Sequence, residues 1–429
     1  MKNFFYEFIK KHYLLNRTPV SEDTDKLVRS IQKLLECNVI EIPSGTECLT
    51  WIIPKSWNVR EAYLASVDGT RLVDFRDNPL HLWSHSVGFQ GVVSREDLEE
   101  HLYYDPEHPD AIPYHYRNAF GFDAEDWGFS IRYDEYKALR EDSYRVHIDA
   151  ELGTDGAMKI LDYLLPGDNQ ETILFAAHTC HPGQATDGLS NIAVLIRFFM
   201  YLGSLGRRRY SYRLVLGPEY FAAAGFLAIV SQEEIERIKA GIYLDLLGNN
   251  YPLGYQTSYQ GDSPLDKVIE TVFNHHVPHH ENASFRGIVG NDEIFYNGPG
   301  FDIPMPGIAC VPHPEYHSSK DDLEIVNLSQ LEKSFEILER IVQVIESDYI
   351  PIPGFKGPIY LSRYNLYIDP KLSRRGYDKI HDIQFLMNKK RSCFDIAHTL
   401  EVDYFFVKDF CDRLAEIGLI KKEGSNMFH

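Results

Sequence analysis

No stretch of this chain approaches the roughly 18 uninterrupted apolar residues of a membrane span. Its six cysteines include no C-x-x-C pair, and positive charge is scarce, with 43 Lys and Arg against 63 Asp and Glu and a net charge of −20. The first lack excludes a helical span. The second excludes a zinc ribbon or a disulfide framework, since Cys37, Cys48, Cys180, Cys310, Cys393 and Cys411 are simply scattered, and it points to a reducing cytoplasm. The third opposes nonspecific binding to phosphate backbones or anionic membranes, which needs Lys and Arg to displace counterions. A signal-peptide reading of the amino end fails because Glu7, Lys10 and Lys11 interrupt the apolar run and no small-residue cleavage site follows. Small-molecule ligands fit this composition better than nucleic acid or membrane.

At 429 residues the chain exceeds the size at which one core keeps growing, so two or three domains are expected. Phe4, Phe5, Phe8, Ile9 and His12 fall at helical spacing. After Thr18-Pro19 a second helix begins, with Ser21 as its cap and Leu27, Val28, Ile31, Leu34 and Leu35 as its apolar face. From about residue 44 short strand-like runs separated by Asp-Gly and Asn-Pro turns predict a β-rich insertion over 44–112. A strand at 144–150 is expected to reopen the main domain, which then covers 1–43 and 113–350, with helices at 189–205, 221–230, 264–273 and 328–345 alternating with strands. Pro351-Ile352-Pro353-Gly354 reads as a linker, and 351–429 as that linker followed by a winged helix-turn-helix. Its second helix sets Lys408 and Arg413 against Asp409, Asp412 and Glu416. That balance argues against DNA and for a protein contact or homo-oligomerisation.

Four short apolar runs each lead into a metal-ligating or acid–base side chain: 173–177 into His178, 214–216 into Glu219, 242–244 into Asp245, and 308–311 into His313 and His317. Buried parallel strands are short and continuously apolar, and open α/β sheets bind ligands beyond the carboxyl ends of their strands. Between the first two runs, Thr186-Asp187-Gly188-Leu189-Ser190-Asn191 puts another carboxylate in a tight turn that opens an apolar helix. Taken singly, His178 reads as a structural histidine, Asp187 as a helix N-cap, Asp245 as turn chemistry, Glu219 as a first-turn acid, and His317 as part of a capped helix start. Taken together they predict one divalent-metal site for hydrolysis. Cys180 reads as a small buried residue or a soft ligand.

The segments His178-Thr179-Cys180-His181-Pro182, Gly217-Pro218-Glu219, Asn291-Asp292-Glu293 and Glu315-Tyr316-His317-Ser318-Ser319-Lys320-Asp321-Asp322 carry a resemblance. Over essentially its whole length the chain resembles the zinc aminopeptidase clan that includes bacterial leucyl aminopeptidases and glutaminyl cyclases. More closely it is similar to bacterial and archaeal aminopeptidase-like proteins often encoded near polysaccharide-biosynthesis genes. The resemblance implies an α/β zinc-peptidase core with a mixed central sheet flanked by helices, a small β-rich insertion and a C-terminal winged helix. It also implies one or two Zn2+ ions, with His178, Asp187, Asp245 and His317 as ligands, Asp187 bridging if there are two, and Glu219 as base or ligand. The clan usually has two adjacent glutamates where this chain has Pro218-Glu219-Tyr220, so one role is missing or has moved, and His181 or Glu293 is a candidate to fill it. The activity implied is removal of an amino-terminal residue or cleavage of a related amide by metal-activated water. The alternatives are an amidase or deacylase acting on an amino-sugar or polysaccharide-linked substrate, or a degenerate peptidase fold acting through its winged helix.

Overall fold

In the computed structural model, which describes residues 1–368, 371 and 374–428, the apolar runs form the middle of an eight-stranded mixed sheet. Its strands are β1 (Asn38–Pro43), β2 (Ala157–Leu165), β3 (Thr172–His178), β4 (Ser211–Gly217), β5 (Ile238–Asp245), β6 (Leu253–Gln256), β7 (Glu281–Ala283) and β8 (Gly307–Cys310), in the order β1-β2-β4-β3-β5-β8-β6-β7. The central four, β4, β3, β5 and β8, run parallel, and β2 and β6 flank them antiparallel. Every residue of β3 and of β4 is buried, as expected for strands covered on both faces.

Alternation along β3 serves two layers. Phe175 meets Phe198 and Phe199 of helix α3 (Leu189–Ser204) at ring separations of 5.1 and 5.8 Å. Leu174 and Ala176 belong to the cluster containing Phe221, Ala222 and Phe226 of helix α4 (Phe221–Ile229). At the amino end, α1 (Lys2–His12) and α2 (Glu22–Gln32) form as read, with the Ser21 hydroxyl accepting the Thr24 N–H at 3.2 Å.

The strand expected to reopen the main domain does not join the main sheet. Ser143–Gly153 lies between Ser56–Ser66 and Phe89–Ser94 in a separate four-stranded antiparallel sheet completed by Arg71–Asp74. The inserted sheet therefore draws a strand from beyond residue 112, and Trp57, Phe129, Tyr144, Val146 and Ile148 form its core.

The chain divides into two compact units, Met1–Gln256 with Glu281–Phe335, and Thr257–His280 with Glu336–His429. The second holds helix Pro264–His276, α5 (Cys393–Leu400), α6 (Tyr404–Glu416) and an antiparallel pair in which Tyr349–Pro353 meets Ile420–Gly424. The C-terminal helices and the returning strand are consistent with a winged helix. Pro351 and Pro353, read as linker, lie in that strand, where a two-stranded ribbon tolerates residues that cannot donate to a ladder.

Candidate metal centre

Parallel pairing puts His178 beside Gly217, two residues before Glu219, while Asp245 ends the strand on the other side of β3. Three chemistry-bearing side chains thus leave the carboxyl ends of three adjacent strands, where open α/β sheets bind their ligands.

Asp187 links two groups of donors. One oxygen lies 2.9 Å from His178 Nε2 and the other 3.5 Å from His317 Nε2. Asp187 is not a helix cap, because Gly188 occupies that position with φ +99°. Instead the Asp321 carboxylate accepts the N–H groups of Thr186 and Asp187 at 2.8 and 2.9 Å, which fixes the turn and leaves the Asp187 carboxylate for the centre. Asp245 Oδ1 lies 3.2 Å from His178 Nε2 and accepts the Leu246 N–H at 3.0 Å, while Asn291 donates to Oδ2 at 3.3 Å.

His181 completes the second group. Its Nε2 is 3.4 Å from Glu219 Oε2 and its ring lies 5.0 Å from that of His317. The sets His178, Asp187, Asp245 and His181, Asp187, His317 each offer three ligand atoms within 4.8 Å of one another, and Cys180 joins His178 and His181 in a third such set. The Cys180 sulfur also accepts the Glu219 N–H at 3.3 Å. Glu293 is not brought to these sets: its carboxylate accepts from Asn291 N–H at 2.9 Å and from Gln256 at 3.3 Å. His313 lies 3.2 Å from the Thr186 hydroxyl and 3.3 Å from Glu315.

The charge pattern suits a cation. Burial pushes the Glu219 carboxyl well above the usual range, and Asp187, Asp292 and Asp245 add to the rise. Burial also raises Asp292 and Glu293 to about 7. Asp187 resists the same burial because His181, His178 and His317 hold it well below the ordinary carboxylate range. Burial drives His181 well below its usual value, whereas hydrogen bonds to Asp187 and Asp245 outweigh burial at His178 and hold it well above. Asp187 Oδ2 and His317 Nε2 are among the buried side-chain atoms that have no hydrogen-bond partner, and each is an atom that would ligate a metal. The donor set of imidazole and carboxylate fits zinc.

Asp292 was quoted in the sequence only as part of a motif. Its carboxylate accepts the N–H of Tyr220, a residue held at φ +61° just after Glu219. Asn191, which donates to Asp245 Oδ1 at 3.4 Å, Asn291 and Asp321 likewise stand in the sequence only as members of motifs. Next to the cluster, a cavity of about 620 Å³ is lined by Tyr103, Tyr114, Tyr116, Arg117, Tyr316 and His317, among others.

A mixed sheet with histidines and carboxylates gathered beyond its parallel strands defines an aminopeptidase-like α/β protein. Residues 6–348 match the family described as "Domain of unknown function (DUF4910)", and the chain belongs to that family. It is 28% identical, over 97% of its length and 95% of the relative's, to a Clostridium acetobutylicum protein named as a candidate polysaccharide-biosynthesis protein with an aminopeptidase-like domain. A crystal structure of a candidate peptidase from Clostridium acetobutylicum superposes with a TM-score of 0.86 at 27% identity, covering 98% of this chain and 96% of that one. A zinc aminopeptidase of Bacillus subtilis shares the fold with a TM-score of 0.57 at 13% identity, covering 80% of this chain and 94% of that one.

Proposed function

We propose that this protein is a zinc-dependent amide hydrolase of the aminopeptidase type. The observation that carries the reading is the Asp187 carboxylate, with one oxygen toward His178 and the other toward His317, shared by two buried three-ligand sets. His178, Asp187 and Asp245 would hold one ion, and Asp187, His181 and His317 a second. Zinc in such a set supplies Lewis acidity to the attacking water and the scissile carbonyl.

The chain's own groups do the rest. Glu219, beside His181 at 3.4 Å, accepts the proton of the attacking water and delivers it to the departing amine. His181 takes the ligand position of the second glutamate that this chain lacks beside Glu219, which frees Glu219 for proton transfer. His178, His181, Asp187 and Asp245 are buried, which strengthens the electrostatic contacts among them.

A second reading, an amide carried on a saccharide, is favoured by the cavity beside His317, whose wall is polar and rich in tyrosine rather than aliphatic. The name of the Clostridium relative points the same way.

Hydrolysis of a panel of aminoacyl amides and N-acyl amino sugars tests both readings. The expected result is chelator-sensitive turnover of one class, reduced at least about 100-fold in Glu219→Gln. Full activity in the presence of chelator, or in that variant, would overturn the mechanism.

A further inference from the structure

Residues 179–184 carry the chain from His178 to the turn bearing Asp187. This stretch has no regular secondary structure and is buried throughout, so its backbone carbonyls must find donors without a ladder or a helix. Four of the six find the same side chain. Arg17, fully enclosed at 0% exposure, donates from one terminal nitrogen to the carbonyls of Thr179 at 3.1 Å and Cys180 at 2.8 Å. Its other terminal nitrogen donates to the carbonyls of His181 and Gln184, the latter at 2.7 Å. We infer that Arg17 is a positioning residue for the metal centre, holding the loop so that His181 stays between His178 and His317 as a ligand. The inference rests on the metal-hydrolase reading above and extends it to a residue that touches neither ligand nor substrate.

Three observations support it. His181 sits at φ +78°, a conformation that an L side chain disfavours and that external bonds help to impose. The imidazole to be placed is attached to the same residue whose carbonyl Arg17 grips, and its ring lies 4.6 Å from that of His178 and 5.0 Å from that of His317. Finally, four carbonyls arranged around one group call for a planar fork of N–H donors, which guanidinium provides and an ammonium point charge does not. Burial lowers the Arg17 pKa to about 10, offset by Cys180, Asp187 and Asp321, so it is charged at neutral pH. The site's carboxylates thus balance a cation lodged behind the loop.

The strut is itself braced. Arg17 lies in the connection between α1 and α2, where the Thr24 hydroxyl donates to the Thr18 carbonyl at 2.6 Å and the Trp57 N–H donates to the Val20 carbonyl at 2.9 Å. Displacement of the amino-terminal helices would therefore reach the metal centre through this one side chain.

The test uses Co2+ and Zn2+ on the full chain, wild type against Arg17→Lys, Arg17→Met and His181→Ala. Near-ultraviolet circular dichroism confirms the native fold, and Arg17→Lys provides the variant that keeps the charge and most of the volume. The expected result is a 10- to 100-fold weaker metal affinity in Arg17→Met, the range typical for removal of a group that orients a ligand, with a smaller loss in Arg17→Lys. The visible spectrum of bound Co2+ should shift toward that of His181→Ala. Adding an Arg17 substitution to His181→Ala should then cost little more, because both act on the same ligand. Unchanged affinity and an unchanged Co2+ spectrum in a folded Arg17 variant, whatever its melting temperature, would overturn the inference and leave Arg17 a stability residue. Wild-type protein that binds neither metal would instead overturn the hydrolase reading beneath it.

Discussion

Asp187 shows how a residue acquires a role from its neighbours. Its carboxylate reaches His178 and His317 because Asp321, some 130 positions later, accepts the two amides of the turn at 2.8 and 2.9 Å. Asp187→Ala is expected to abolish stoichiometric zinc and with it the metal's contribution to folding, about 2.7 kcal/mol when free zinc is at a hundredfold its Kd. Metal analysis and thermal unfolding with and without chelator measure both. Zinc retained at wild-type stoichiometry would remove Asp187 from the centre. Histidines and acids at the ends of apolar runs were readable because strand ends announce themselves by where hydrophobicity stops. His181 and Glu293 were open alternatives in the sequence, and the structure separates them: His181 faces Glu219 and His317, whereas Glu293 is committed to Asn291 and Gln256. Arg17 carried no signal at all, since an arginine after a helix reads as solvent-exposed until the loop it serves is in view.

Between residue and domain, the turn from β3 to α3 depends on Gly188. At φ +99° an L side chain is strained, and a Cβ there would lie 3.1 Å from both the His178 ring and the His178 carbonyl. Gly188→Ala is expected to destabilise the fold by roughly 1–3 kcal/mol and to weaken zinc binding by displacing His178, as read by unfolding and by metal titration. Wild-type affinity in that variant would show that the turn has slack. At α5, the first turn is capped from a distance: Asp348 Oδ1 accepts the Phe394 N–H at 2.8 Å. Burial pushes this carboxyl up to about 6, above its usual value of 3.8. The folded unit therefore holds the proton more tightly than the unfolded chain. The resulting stabilisation is complete below about pH 4 and is lost as pH rises through about 6. Asp348→Asn, which keeps an acceptor but cannot ionise, should leave stability near wild type at pH 4 and raise it by about 2–3 kcal/mol at pH 8. A difference that does not change with pH would count against an ionised, buried Asp348. The strand at 143–153 shows the limit of local patterns: its alternation identified a strand, but nothing in it selected the inserted sheet over the main one.

For the molecule as a whole, a net charge of −20 sets what it avoids. In the second unit Lys408 and Lys422 are already paired to Asp412 at 2.6 and 2.8 Å. No duplex is expected to shift with this protein in a mobility assay, even at low salt. A shift whose strength falls steeply with salt would establish a phosphate-binding surface. Continuously apolar strands, the two amino-terminal helices with the Ser21 cap of the second, and the order of histidines and acids were determined by the sequence itself, because each is a local consequence of hydrophobic periodicity and turn chemistry. Which sheet each strand joined, that His181 rather than Glu293 meets the cluster, and that one arginine braces the loop were decided only by tertiary structure. These depend on contacts between residues from about 35 to more than 160 positions apart, and no local run of side chains encodes which distant partner will satisfy a buried polar group.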